Sequence, residues 1–202
     1  KYEISKSNLD EYALESHIRA KEASENDVFH PEIIPTEIKD AEGRGTGEMH
    51  AKDEGVRLDA TLEGIASLAP IIENGVLTPG TASQICDGSS GVIVCNDRGL
   101  KKLGVEPLAR IRHLSVVGHD PVIMLEAPIP ATKQALEKAN IKLNEIDLFE
   151  VNEAFASVPL AWLKATQVDP EKLNVFGGAI ALGHPLGSSG TKLATTLIHA
   201  LK

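Results

Sequence analysis

The chain has 202 residues, of which 42% are hydrophobic and 3% aromatic, and it carries a formal net charge of −9. This length and composition suit a globular protein with an aliphatic core, and the acidic balance argues against a nucleic-acid-binding surface. The sequence contains no run of about 18 apolar residues, so no membrane-spanning helix is predicted. The two cysteines lack CxxC spacing and indicate neither a metal site nor a disulfide framework. They are typical of a reducing, cytoplasmic compartment.

Two helices and a loop region are predicted in the first 75 residues. Apolar and small residues recur at the spacing of one helical face over residues 8–24, where Ser7 and Asp10 resemble a capping box. Glycines mixed with charged residues predict an irregular loop region over residues 30–56. Helical spacing returns over residues 58–72.

Strands and helices alternate beyond residue 75. Residues 92–95 form a short apolar run, and strands are predicted at residues 110–117 and 146–151. Helical spacing predicts helices at residues 128–139, 153–166 and 191–201. The first of these helices is expected to end at Asn140, and Pro159 is expected to kink the second or to shift its start. The alternation indicates an α/β layered fold.

The segment NEAFA, at residues 152–156, lies at a predicted strand-to-helix junction. Free backbone N–H groups also point toward such a junction. Asn152 is therefore placed where its side chain can donate a hydrogen bond to a developing oxyanion, directly or through water. On position alone, the simpler interpretation is that Asn152 is a helix N-cap.

The segment GGAIALGHPLGSSG, at residues 177–190, has five glycines in fourteen positions, which permit tight turns and the close approach of a ligand. Pro185 restricts the backbone of His184, so the imidazole is presented in a fixed direction. A fixed imidazole suits proton transfer to or from a thiol. A lone histidine is more often structural, and a phosphate-binding loop is the rival interpretation of the glycines, but no GK[ST] or GxGxxG pattern is present.

The two segments together, with His184 placed 32 positions after Asn152, resemble the paired signature of the thiolase family. The resemblance runs through essentially the whole chain. Residues 81–88 (TASQICDG) resemble the segment that closes the N-terminal half of thiolases, and residues 127–131 (APIPA) resemble their GPIPA segment. Phe176 departs from the family pattern, which often has Asn before the paired glycines, and this puts one local hydrogen bond in question.

The resemblance implies a thiolase-like layered α-β-α-β-α core, partial in this chain, with a loop domain. Residues 1–75 would form part of the loop domain that covers the coenzyme A site. Residues 76–105 would form the end of the N-terminal thiolase half, and residues 106–202 the C-terminal half without its last strands.

The resemblance also implies roles for four residues. His184 would activate the nucleophilic cysteine and help to bind the thioester oxygen, and Asn152 would hold a water that completes an oxyanion hole. Ser83 would lie against the pantetheine arm of coenzyme A, and Phe155 would line the same channel. No metal site and no covalently bound cofactor are expected.

Two cysteines of the family pattern, the nucleophile and the acid/base residue of a CxGGG segment, have no counterpart here. Cys86 aligns with a position often held by Ser or Asn and is interpreted as structural. Because the chain lacks both these segments and an initiator Met, we expect it to be a fragment that is inactive alone.

The function implied by the resemblance is acyl transfer between coenzyme A thioesters, either thiolytic cleavage of a 3-ketoacyl-CoA or condensation of acetyl-CoA. The alternative is a non-catalytic, coenzyme A- or lipid-binding thiolase-like fragment. The expected partners are acyl-CoA, coenzyme A and further copies of the chain in a homodimer or homotetramer, with no nucleic acid and no membrane.

Overall fold

A computed structural model describes all of residues 1–202 and contains seven α-helices and one two-stranded sheet. The helices are α1 (Lys6–Glu25), α2 (Leu62–Ala66), α3 (Asp97–Leu103), α4 (Pro128–Ala139), α5 (Ser157–Thr166), α6 (Ala179–Leu182) and α7 (Ser189–Ala200). The strands are β1 (Thr36–Lys39) and β2 (Gly45–His50), which pair antiparallel. None of the helices has the length and apolarity that crossing a membrane requires.

Helix α1 confirms the helix predicted over residues 8–24, but the predicted cap is wrong. The helix begins after Ser5, whose side chain accepts a hydrogen bond from the Asn8 N–H at 3.2 Å while the Asn8 side chain accepts one from the Ser5 N–H at 3.2 Å. This reciprocal pair satisfies two backbone donors at the helix start. Asp10 is instead buried and pairs with Lys6 at 2.7 Å.

The region between α1 and α2 is more regular than the sequence indicates, because residues 36–50 form the exposed β1–β2 hairpin. The helix predicted over residues 58–72 is shorter than expected and reduces to α2. Thr61 accepts the Gly64 N–H at 3.1 Å and caps its start. Pro70 disfavours helical backbone at the residue before it, so the helical pattern does not extend.

The core lies between α1 and the second half of the chain. One cluster joins residues of α1, α2 and α6, namely Leu9, Ala13, Ile65 and Ile180, with Ala156. A second joins Ala20 and Ala23 of α1 to Phe29, Ala181 and Leu182. A third, around Trp162 of α5, contains Val151, Val158 and Leu173. Helix α1 therefore packs directly against α6, which precedes His184.

The two strands predicted beyond residue 75, and the apolar run before them, do not form a sheet in this chain. Residues 92–95 and 110–117 are not strands, and the 146–151 strand is reduced to one parallel bridge between Phe149 and Leu173. No backbone–backbone hydrogen bond involves residues 106–121. A strand needs a neighbouring strand to satisfy its backbone groups, and these runs have none among the residues of this chain.

The helices predicted in the second half are confirmed, and two of the three, α5 and α7, have shifted starts. Helix α4 ends at Ala139 as expected, and Asn140 follows in the left-handed conformation with φ of 54°. Helix α5 begins at Ser157 rather than at residue 153. Pro159 therefore lies in the first helical turn, where its missing N–H costs no internal hydrogen bond.

Candidate active site

An extended segment places Asn152. Phe149 donates its N–H to the Lys172 carbonyl at 2.8 Å and its carbonyl accepts the Asn174 N–H at 2.9 Å. The buried side chain of Asn174 then continues this pairing, because its Oδ1 accepts the Val151 N–H at 2.8 Å and its Nδ2 donates to the Val151 carbonyl at 2.9 Å. Asn174 thus substitutes for a neighbouring strand immediately before Asn152.

Glu153, the next residue, is a buried carboxylate that joins four parts of the chain. Its Oε1 accepts hydrogen bonds from the Tyr12 hydroxyl at 2.9 Å and from Asn174 Nδ2 at 3.0 Å. Its Oε2 accepts from the Ser16 hydroxyl at 2.7 Å and from the Ile180 N–H at 3.1 Å. Burial, followed by the nearby Glu153 charge, raises the pKa of Tyr12 well above its usual value. The carboxylate therefore ties α1 to both motif segments.

Residues 81–84 fix the backbone of His184. The Gln84 carbonyl accepts the His184 N–H at 2.9 Å, and Gln84 Nε2 donates to the Ile180 carbonyl at 2.8 Å and to the Ala181 carbonyl at 3.1 Å. Gly183, with φ of 87°, makes the turn between α6 and His184 in a conformation that favours glycine. These main-chain contacts fix the position of the His184 backbone independently of the contacts of its imidazole.

Asn152 and His184, which the sequence predicts to act together, are in contact in the structure. Asn152 Nδ2 lies 3.3 Å from His184 Nε2, and His184 Nδ1 lies 2.6 Å from the Ser189 hydroxyl oxygen. The N-cap interpretation of Asn152 is wrong, because α5 begins five residues later and its N-cap position is Ala156. The Asn152 side chain therefore does not cap a helix and is available to contact the His184 imidazole.

Ser83 and Phe155 lie on two segments that pair side by side. The Ser83 N–H donates to the Ala154 carbonyl at 3.0 Å, and an antiparallel bridge joins Ala82 to Phe155. Both side chains are half-buried. The structure therefore brings these two residues together, while their predicted contacts with coenzyme A stay a prediction.

A small cavity beside Asn152 is also lined by a half-buried carboxyl group, that of Glu150. Its lining includes Glu150, Asn152, Ser189, Lys192 and Thr196. Burial, and next the charge of nearby Glu153, raise the pKa of Glu150 to about 8. One Glu150 carboxyl oxygen and the Asn152 amide oxygen are buried there without a hydrogen-bond partner. Burial therefore favours the protonated, neutral form of the Glu150 carboxyl group.

The remaining candidate groups are peripheral. Both cysteines are exposed, and Cys86 lies against Gly183, so that a side chain at the glycine would meet its sulfur. No group of three or more His, Cys, Asp or Glu side chains is arranged to hold a metal ion. Phe176, the departure in the glycine-rich segment, packs edge-on against Phe29 with ring centroids 6.1 Å apart.

The sequence analysis did not identify Glu153, Glu150, Asn174 or Ser189 as part of the site. Glu153 and Ser189 lie inside the two motif segments. Glu153 directly follows Asn152, and Ser189 comes five residues after His184, and these positions alone could have pointed to them. The partners of Glu153 on α1 are more than 130 positions away in the sequence, and no local pattern reports such a contact.

Two family models match the chain. The N-terminal domain of thiolase matches residues 1–98, and the C-terminal domain of thiolase matches residues 105–202. A steroid 3-ketoacyl-CoA thiolase of Mycobacterium tuberculosis is 46% identical over the whole chain, which covers 48% of that protein. A mitochondrial 3-ketoacyl-CoA thiolase of Rattus norvegicus is 44% identical, again over the whole chain and 50% of the relative.

Solved structures agree with these relatives. An acetyl-CoA acetyltransferase of Bacillus anthracis superposes with a TM-score of 0.90 at 41% identity, over 99% of this chain and 50% of that one. A human mitochondrial 3-ketoacyl-CoA thiolase in complex with CoA gives a TM-score of 0.86 at 39% identity, over 100% and 49%. The chain spans about half the length of the curated relatives it matches. On these matches, the chain belongs to the thiolase family.

Proposed function

We propose that this chain contributes His184 and Asn152 to an enzyme that transfers acyl groups between coenzyme A thioesters. The reaction is thiolytic cleavage of a 3-ketoacyl-CoA by coenzyme A, or the reverse condensation. The observation that carries the proposal is the contact between Asn152 and His184, on a backbone held by residues 81–84. Relatives named 3-ketoacyl-CoA thiolase and acetyl-CoA acetyltransferase support the reaction class.

The two side chains suit this chemistry in a defined order. An unprotonated His184 nitrogen accepts the proton of a thiol, which leaves a thiolate nucleophile and an imidazolium. The imidazolium N–H and the Asn152 amide N–H are then donors for negative charge on the thioester oxygen. The thiol itself is expected from a thiolase-type cysteine rather than from Cys86, which is exposed.

Thiolysis by the full-length product of the gene tests this function, with acetoacetyl-CoA compared against a longer 3-ketoacyl-CoA. Asn152→Ala is expected to lower kcat by about 100- to 1,000-fold, since it removes one oxyanion donor. His184→Ala is expected to lower kcat by about 100- to 10,000-fold, since it removes the base. Cys86→Ser is the matched control and is expected to keep normal turnover.

Two results separate this proposal from the non-catalytic alternative. Binding of coenzyme A without thiolysis of either substrate by the full-length product would favour a binding module. Normal turnover in His184→Ala would contradict the assigned role of the imidazole.

Ser83→Ala is expected to raise KM with little change in kcat if Ser83 contacts the pantetheine arm, because such a contact binds the ground and transition states alike.

We further propose that the protein assembles as a homodimer or homotetramer in a reducing, cytoplasmic compartment. Large aliphatic side chains along residues 85–125 are exposed, among them Ile85, Val116 and Val122 at 103%, 96% and 89%. The chain spans about half the length of its relatives, so this surface is available both to further polypeptide of the same protein and to a second copy. Sedimentation measurements test the assembly, and a monomer at all concentrations would contradict it.

A further inference from the structure

The shortest side-chain hydrogen bond of the candidate site joins His184 to Ser189. The Ser189 hydroxyl oxygen lies 2.6 Å from His184 Nδ1 and 3.1 Å from the Pro185 carbonyl oxygen. Ser189 is the first residue of α7 and is only 8% exposed. Its hydroxyl is thus placed between one group that can accept or donate, the imidazole nitrogen, and one that can only accept, the carbonyl.

With the Asn152 amide nitrogen toward the ring, as in the structure, one distribution of protons satisfies both ring nitrogens. If Ser189 donates to the Pro185 carbonyl, its oxygen accepts the Nδ1–H of His184, and Nε2 keeps its lone pair for the Asn152 amide N–H at 3.3 Å. If Ser189 donates to Nδ1 instead, Nε2 carries the proton and faces the Asn152 amide donor. That second distribution sets two donors, Nε2–H and the Asn152 amide N–H, against each other. The Pro185 carbonyl does not decide between the two distributions, because it also accepts the Ser188 N–H at 3.1 Å, the Ser189 N–H at 3.2 Å and the Ser188 hydroxyl at 3.1 Å.

We propose that Ser189 is a positioning residue that holds His184 as the Nδ1–H tautomer and so keeps Nε2 as the basic nitrogen beside Asn152. The hydroxyl acts through the imidazole, as the orienting partner of a catalytic base does in other enzymes. In the proposed acyl transfer, this assigns removal of the thiol proton to Nε2. The catalytic consequence rests on the proposed function, whereas the tautomer itself does not.

Ser188 provides a matched control next to Ser189. Its hydroxyl also donates to the Pro185 carbonyl, at 3.1 Å, but it makes no hydrogen bond to His184. Ser188→Ala therefore removes the same kind of group from the same carbonyl and leaves the imidazole contact in place. Ser189→Thr keeps a hydroxyl at the contact position and is the conservative variant.

Nitrogen NMR of the protein labelled with 15N-histidine reads the tautomer directly, with His184 assigned by its loss in His184→Asn. We expect protonated Nδ1 and unprotonated Nε2 in the native protein, in Ser188→Ala and in Ser189→Thr. We expect Ser189→Ala to show exchange between the two tautomers, with native far-UV circular dichroism. In the full-length gene product, Ser189→Ala is expected to lower kcat at least about 10-fold with a smaller change in KM, since the wrong tautomer of a base can cost as much as about 10,000-fold.

Two outcomes would overturn the proposal. One is a native protein in which His184 Nε2 carries the proton, a result that requires no variant to fold. The other is a folded Ser189→Ala protein that keeps the single Nδ1–H tautomer. A tautomer change without any thiolysis in the full-length product would uphold the role of Ser189 and contradict the proposed function, so the two failures are distinguishable.

Discussion

Replacing Glu153 by glutamine changes one atom of a fully buried group, and its effect follows from the four donors around it. The carboxylate accepts two hydroxyl donors, from Tyr12 and Ser16, and two N–H donors, from Asn174 and Ile180. A glutamine keeps one acceptor oxygen and presents an NH₂ group at the other position. Two of the four donor groups would then face the new NH₂ group, which is itself a donor.

The geometry indicates which pair is lost. The Ile180 N–H has no other acceptor, so the remaining oxygen is expected to stay on the Ser16–Ile180 side. Asn174 Nδ2 still has the Val151 carbonyl at 2.9 Å and the Tyr12 hydroxyl oxygen at 3.1 Å. Each hydrogen bond to a charged group contributes about 1.5–3 kcal/mol. Losing two, offset in part by no longer burying a charge, lowers the free energy of unfolding by about 3 kcal/mol.

Urea unfolding followed by far-UV circular dichroism measures this loss. With a urea dependence of about 2 kcal/mol per molar, the midpoint is expected to fall by about 1.5 M. Glu171→Gln is the matched control, because Glu171 is 80% exposed and its ion pair with Arg19 is expected to contribute less than about 1 kcal/mol. A Glu153→Gln midpoint equal to that of the control would refute the idea that this carboxylate holds the site together.

Three further substitutions follow from the same contacts. Between the ordinary pKa of 4.5 and about 8, folded Glu150 holds a proton that the unfolded chain has released, so its contribution to stability falls as pH rises, by up to about 1.4 kcal/mol per pH unit. Glu150→Gln should remove this loss, which urea midpoints across the range would show. Gly178→Ala would place a Cβ 2.6 Å from the Glu153 carboxylate oxygens and should lower the free energy of unfolding by about 2 kcal/mol. Trp162→Ala should cost about 3–5 kcal/mol by thermal or urea unfolding, because it empties a side-chain site that is 1% exposed and removes the bond to Thr132.

Each of these substitutions has a control on the same chain. Glu106→Gln changes an exposed carboxyl group and should leave the pH dependence intact. Gly190→Ala adds a Cβ with no atom within 4 Å and should not destabilise. Trp162→Phe keeps most of the ring contact with Phe149 and should cost less than the alanine variant. Equal effects in a variant and its control would contradict the corresponding contact.

Local patterns predicted four of the seven helices (α1, α4, α5 and α7) over most of their length and predicted the strands poorly, for a physical reason. A helix satisfies its backbone within one segment, so α4 ends at Asn140 as its sequence indicates. A strand depends on a neighbour, and residues 110–117 have none in this chain. The Asn152–His184 contact was predictable because it rests on two motifs with a characteristic spacing. The roles of Glu153 and Asn174 were not, since a buried hydrogen-bond network depends on partners that only the folded chain brings together.

Within this chain, side chains rather than strand neighbours satisfy the backbone around the candidate site. The Asn174 side chain satisfies the backbone of Val151, and Gln84 satisfies that of His184. Helix α1 supplies the hydroxyls that bind Glu153 and the apolar face against which α6 packs. The two reactive side chains are therefore positioned from three separate stretches of sequence. A substitution in α1 that removes a hydrogen bond to Glu153 is therefore expected to change the distance between the Asn152 and His184 side chains. We expect this change even where both motif segments stay folded.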